Sequence, residues 1–116
     1  MGTANNTSMN VLASAARTAS VNSSDFRNRH HTGLRIHIDA TAAAATPSVV
    51  FTIQGKDTIT GDYYTLLASA AITGVSDTYL LVYPGGTAAG NLVANLALPP
   101  YWRVSAVAAD ADSLTY

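Results

Sequence analysis

The segment 34–41 (LRIHIDAT) constrains the fold most, because its residues alternate strictly between apolar and polar. A period of two is that of a β-strand with one buried and one exposed face. A helix would spread the same apolar side chains around its axis instead of collecting them on one side. The segment therefore predicts a half-buried strand with Arg35, His37 and Asp39 on its outer face.

Other segments along the chain also predict strands, some with weaker alternation and one, 78–83, apolar on both faces. The further strand predictions are 11–21, 48–54, 63–72, 78–83, 101–109 and the start of a strand at 113–116. Turn residues separate these segments, and the prolines at 99 and 100 forbid a long helix over 87–100. Short strands with turns between them predict an all-β fold, namely a small antiparallel β-sandwich or barrel-like fold of six to eight strands.

The length of 116 residues corresponds to one domain. Residues 1–10 are small and polar without periodicity, so we predict a flexible N-terminal arm followed by a single β-sandwich domain over 11–116. The N-terminus lacks the basic start and apolar stretch of a secretory signal. No run of 18 apolar residues predicts a membrane-spanning helix.

Charge is scarce and balanced in this chain. Charged residues make up 11% of the sequence, and six Lys and Arg oppose seven acidic residues, all of them Asp. This balance offers no basic surface for nucleic acid, so we predict neither a nucleic-acid partner nor a membrane partner. The absence of cysteine excludes disulfides and thiol chemistry. A surface with so little charge indicates a protein that is largely covered by partners.

Histidines and an aspartate provide one candidate metal site. His37 and Asp39 share a strand face, and His30 and His31 lie in the preceding loop. Imidazole and carboxylate groups can bind Zn²⁺. The simpler interpretation is a solvated strand face, because nothing in the sequence fixes the loop histidines beside the strand. We therefore predict no metal and no cofactor.

Two pairs of aspartates could suggest acid–base catalysis or calcium binding. Asp57 and Asp62 bracket a hairpin, and Asp110 and Asp112 flank a turn. Aspartates in turns commonly accept hydrogen bonds from their own backbone. No sequence motif of a hydrolase, nucleotide-binding loop or metalloprotease is present. The prediction is a protein without enzymatic activity.

Tyrosines are the strongest candidates for a binding surface. Adjacent residues on a strand point to opposite faces, so each of the pairs 63–64 and 101–102 sends one ring outward. Outward rings can anchor a protein interface, stack on sugars, or simply be covered by neighbouring strands. The predicted interface residues, with two apolar residues next to the N-terminal arm, are Tyr63, Tyr64, Tyr79, Tyr83, Tyr101, Val11 and Leu12.

Three segments carry a resemblance to a known group of proteins. They are 46–57 (TPSVVFTIQGKD), 63–73 (YYTLLASAAIT), and 98–105 (LPPYWRVS) with its following DADS turn. Over about residues 11–116, the chain resembles small virion or head-associated proteins encoded in the structural-gene region of tailed bacteriophages. The resemblance implies a place in a virus particle and defines no catalytic residues.

Together with the low charge, this resemblance leads to a functional expectation. We expect a capsid decoration, or cement, protein that binds between major capsid subunits and forms a homo-oligomeric layer on a symmetric particle. Its partners would be the major capsid protein or other virion proteins, and its location the virion, assembled in the bacterial cytoplasm. The alternatives are a neck, tail or fibre-base component, and a glycan- or receptor-binding module.

Overall fold

A computed structural model describes residues 8–29 and 31–116. The arm predicted over 1–10 falls mainly outside these ranges, as does His30. Residues 8–10 are exposed and belong to no strand. Within the described ranges the fold is all-β, and no helix there is long and apolar enough to cross a membrane.

The described residues form eleven strands, five of them long and six only two residues in length. In chain order they are β1 (Ala16–Arg17), β2 (Val21–Asn22), β3 (Phe26–Arg27), β4 (Leu34–Ala40), β5 (Ala42–Ala43), β6 (Val49–Lys56), β7 (Tyr63–Ala68), β8 (Ser76–Val82), β9 (Val93–Ala94), β10 (Tyr101–Ala108) and β11 (Leu114–Thr115). The count exceeds the predicted six to eight because of the two-residue strands, which are too short to show any periodicity.

The strands are arranged in three sheets. The main sheet has the order β2-β10-β6-β7, with β3 also pairing with β10, and all its pairs are antiparallel. The second sheet has the order β4-β8-β9, in which β4 and β8 are antiparallel and β8 and β9 parallel. A small third sheet joins β1, β11 and β5.

The main and second sheets enclose one apolar core, which is the arrangement of a small β-sandwich. Inward side chains from both sheets belong to a single buried cluster. Its larger members are Ile36, Ile38, Leu80 and Val82 from the second sheet and Val49, Phe51, Ile53, Leu67, Trp102 and Val104 from the main sheet. The alternating burial predicted for 34–41 is confirmed in β4, and β6 has the same alternation.

The single strand predicted over 11–21 is wrong. Only Ala16–Arg17 and Val21 are in strands, and the two strands belong to different sheets. Small Ala, Ser and Thr side chains give this segment no continuous apolar face, so it crosses from one sheet to another. The strand predicted over 63–72 also ends early, at Ala68. Beyond it, the Phe51 N–H donates to the Ser69 hydroxyl rather than to a backbone carbonyl, and Val49 and Ile72 pair only as an isolated bridge.

Candidate functional site

The five predicted interface tyrosines fall in different parts of the surface. Tyr63 and Tyr101 lie on the outer face of the main sheet, at the end next to the β6–β7 hairpin. Tyr79 lies on the outer face of the second sheet. Tyr64 and Tyr83 contact glycines of their own chain. The structure therefore brings together only one predicted pair, Tyr63 and Tyr101, on one sheet face.

Strand register explains why Tyr63 and Tyr101 share a face. Tyr63 pairs with Lys56 across β6 and β7, and Arg103 pairs with Gln54 across β6 and β10. Tyr101 precedes Arg103 by two residues, so both side chains point the same way. We call this surface the aromatic patch and define it by Asp25, Arg27, Gln54, Lys56, Tyr63, Tyr101 and Arg103.

Arg103 holds the Tyr63 ring in place. Its guanidinium carbon lies 3.5 Å from the centre of that ring, a close cation–π contact. The Arg103 Nε donates a hydrogen bond of 2.7 Å to the Gln54 side-chain oxygen. Because the Arg103 side chain is fixed from both sides, the Tyr63 ring has little freedom to turn.

Asp25 links the opposite side of the patch. One carboxylate oxygen accepts a hydrogen bond of 2.8 Å from the Lys56 ammonium, and the other accepts one of 2.7 Å from the Tyr63 hydroxyl. The bond from Lys56, and then the bond from Tyr63, lower the pKa of Asp25 below its usual value. The same contact with Asp25 raises the pKa of Lys56.

Acid should remove the contribution of this carboxylate to stability. A lowered folded-state pKa stabilises the protein above the unfolded pKa, about 3.9, and the effect is lost as the pH falls through the folded value. At pH 7 and low salt, Asp25→Asn should therefore unfold at a lower urea concentration than the wild type. As the pH falls below the unfolded pKa and through the lowered folded-state pKa of Asp25, the two midpoints should converge, because the wild-type carboxyl becomes protonated too.

The control for this measurement is Asp62→Asn, on the nearby hairpin, which should follow the wild type at every pH. Raising the salt concentration should narrow the difference between the wild-type and Asp25→Asn urea midpoints at pH 7, because exposed ion pairs are screened. A difference between the two midpoints that does not narrow as the pH is lowered would show that the Asp25 charge is not its source.

The aromatic patch is positively charged. Arg27 approaches the Tyr101 ring at 5.9 Å and pairs with that residue across β3 and β10. With Lys56 and Arg103, the patch has three cations and one carboxylate. Tyrosine and arginine are the residue types that contribute most often to protein-interface hot spots.

Tyr64 and Tyr83 cover glycines. A Cβ atom on Gly55 would lie 2.5 Å from the Tyr64 ring, and one on Gly86 would lie 2.7 Å from the Tyr83 ring. Both rings remain partly exposed, at 46% and 39%. The absence of a side chain at each glycine thus lets the ring approach the backbone closely. The interface role of the two tyrosines stays a prediction.

Val11 and Leu12 pack against the core of their own chain and are half-buried. They line an open groove whose other walls include Phe26, Leu34 and Trp102. Their predicted role in binding a partner is therefore limited to the part of each side chain that the groove leaves exposed, and it stays a prediction.

The candidate metal residues are only partly brought together. His37 and Asp39 lie side by side on β4, and Asp77 on β8 joins them. His31 is instead part of the 28–31 turn, in which its backbone exchanges hydrogen bonds with the Asn28 side chain. Asp77 was not predicted, because it precedes the predicted strand 78–83; in the structure β8 begins at Ser76, and its register places Asp77 opposite Asp39.

Asp57 and Asp110 accept hydrogen bonds from turn backbone, whereas the Asp112 carboxylate accepts hydrogen bonds from the backbone N–H and side chain of Thr46. Asp57 accepts hydrogen bonds from the backbone N–H groups of Ile59 and Thr60, which lower its pKa. Asp110 accepts one from the backbone N–H of Asp112. Both arrangements are typical of Asx turns, in which the carboxylate satisfies local backbone donors.

Comparison with known proteins identifies no relative of this chain. No family model matches it, no curated protein matches it, and no solved structure matches it. Its function is therefore inferred from the fold and from the side chains of the aromatic patch.

Proposed function

We propose that this protein is a non-enzymatic structural protein of a tailed-bacteriophage virion, specifically a capsid decoration protein. It binds between major capsid subunits and stabilises the shell. The observation that carries the proposal is the aromatic patch. There the Arg103 guanidinium and the Asp25 carboxylate hold Tyr63 before any partner is bound. An anchor that is already ordered loses little conformational entropy on binding.

The shape and chemistry of the patch suit a protein partner. It lies on the face of a sheet rather than in a deep pocket, and it combines two tyrosines with two arginines. Its excess of cations favours a partner surface that carries carboxylates. Major capsid subunits, or other virion proteins, would supply this complementary surface.

Symmetry would make a small patch sufficient. A shell presents the same binding site many times, so each copy of the protein needs only modest affinity when neighbouring copies also contact one another. The scarcity of charge on the chain, 11% of residues, is consistent with a surface that is covered by neighbours on such a shell. The proposed location is accordingly the virion, and the proposed state is a homo-oligomeric layer.

Co-sedimentation with shells tests the proposal. Empty shells of the major capsid protein from the same phage are mixed with the purified chain, pelleted, and assayed for bound protein. The wild type should saturate the shells, and Tyr63→Ala combined with Tyr101→Ala should weaken binding at least about tenfold, because central tyrosines are common hot spots.

The matched control is Val75→Ala, which truncates a residue that is 68% exposed and lies outside the patch. It should bind as the wild type does. Circular dichroism of each variant verifies that it is folded. A wild-type chain that fails to bind the shells would contradict the proposal, whereas binding unaffected by the double substitution would contradict the patch as the interface.

A neck, tail or fibre-base component of the same particle is the second structural candidate. It differs from a decoration protein in copy number, with a handful to dozens of copies instead of hundreds. Quantitative densitometry of purified virions distinguishes the two.

Glycan or receptor binding has less support from the geometry. A sugar stacks on the open face of an aromatic ring, but Arg103 already covers one face of Tyr63. The Tyr64 ring lies against Gly55 in the same manner. A glycan array that gives a signal with the wild type, and none with Tyr63→Ala, would favour this alternative.

A further inference from the structure

The outer face of the second sheet presents a histidine and two aspartates. On β4, His37 and Asp39 point outward; on β8, Asp77 lies directly opposite Asp39. Antiparallel pairing of seven residues fixes this register. The three side chains are therefore held together by the backbone of two long strands, not by a loop.

The donor atoms are already close to one another. One potential ligand atom from each of His37, Asp39 and Asp77 lies within 4.8 Å of the other two. Ligands of a tetrahedral zinc ion stand roughly 3.5 Å apart, given bonds of about 2.0–2.2 Å. All three side chains are exposed, so their rotation can bring the ligand atoms from within 4.8 Å of one another to the spacing that zinc requires.

The charges at this position are unbalanced. Like charges directly opposite one another on a strand pair are unfavourable, and Asp39 and Asp77 occupy such a pair. The His37 imidazole is the basic group that pairs with Asp77, at 2.9 Å, whereas within residues 8–29 and 31–116 no Lys or Arg forms a salt bridge with either carboxylate. The nearest cation on the same strand, Arg35, lies instead over the Tyr79 ring at 4.5 Å.

The His37 ring is oriented towards the carboxylates. It stacks on Tyr79, with ring centres 4.6 Å apart and planes inclined by 12°. Its Nε2 atom lies 2.9 Å from a carboxylate oxygen of Asp77. The stacking therefore directs one imidazole nitrogen into the space that the two aspartates border.

We propose that His37, Asp39 and Asp77 form a binding site for a divalent transition-metal ion. One imidazole and two carboxylates suit Zn²⁺ or Mn²⁺, and two ionised aspartates would balance the charge of such an ion. Three protein ligands leave the remaining coordination positions to water. The site lies on the second sheet and does not depend on the function proposed for the aromatic patch.

Calorimetric titration with Zn²⁺ tests the site on the full chain in a non-chelating buffer at pH 7. The wild type should bind one equivalent. His37→Ala, Asp39→Asn and Asp77→Asn should each weaken binding about tenfold or more, since even residues that only support ligands change affinity by 10–100-fold. Because all three residues are exposed, these substitutions should leave the domain folded.

Two matched controls separate this site from binding by other groups. His31→Ala removes a different histidine, and Asp62→Asn removes a different exposed aspartate; neither should change the affinity. In NMR spectra, Zn²⁺ should shift the ring resonances of His37 and its stacking partner Tyr79 before any others. Failure of the wild type to bind, or binding that His31→Ala abolishes and Asp39→Asn leaves intact, would overturn the proposal.

Discussion

Replacing Trp102 with alanine should lower the free energy of unfolding by about 3–5 kcal/mol, the usual cost of truncating a large buried aromatic residue. Trp102 is 4% exposed and lies on β10, which pairs with strands on both its sides. Its ring contacts Phe26 at 4.8 Å. Removing the indole would leave a cavity where β3 joins the main sheet. Urea denaturation followed by far-ultraviolet circular dichroism measures the loss without requiring tryptophan fluorescence.

The neighbouring residue supplies the control. Tyr101 points to the outer face and is half-buried, so Tyr101→Ala should cost less than about 1 kcal/mol. This substitution should instead reduce binding to shells. Equal destabilisation by the two substitutions would contradict the assignment of one ring to the core and the other to the surface.

Leu80→Ala should lower the free energy of unfolding by about 2–5 kcal/mol, because a buried leucine loses both its transfer energy and its packing contacts. Leu80 is fully buried, at 0% exposure, and projects from β8 into the core between the sheets. The same urea measurement applies. The size of the loss reports how tightly the second sheet packs on the main one.

Leu92→Ala is the matched control, since the same substitution is made at a residue that is 49% exposed. It should change stability by no more than about 0.5 kcal/mol. Similar losses for the two leucines would mean that the second sheet is not packed on the main sheet.

Alternation made the long strands predictable from the sequence. The apolar residues of 34–40 and 49–55 mark one face each, and the structure buries that face in β4 and β6. Two-residue strands such as β5 and β9 gave no such signal, because two residues contain only one alternation. Their positions depend on distant partners, as when Ala42–Ala43 pairs with β11.

The candidate sites were predictable only in part, for a related reason. Alternation correctly placed Tyr101 and Trp102 on opposite faces. It did not place Tyr63 beside Arg103, or Asp77 opposite Asp39, because both proximities depend on the register between strands. For Tyr63, the β6–β7 register also shifts between Ile53 and Gln54, and the local sequence does not specify this shift.

The position of β10 in the main sheet has a consequence for biosynthesis. This strand follows nine others along the described part of the chain, yet it joins β2 and β3 on one side to β6 on the other. Until residue 108 has left the ribosome, β6 lacks one neighbour, and β2 and β3 lack the strand with which they pair in that sheet. The domain must therefore fold late, through contacts between distant parts of the chain, and such topologies fold slowly. Nascent copies would expose an unpaired strand edge during that interval, when association between chains is most favoured.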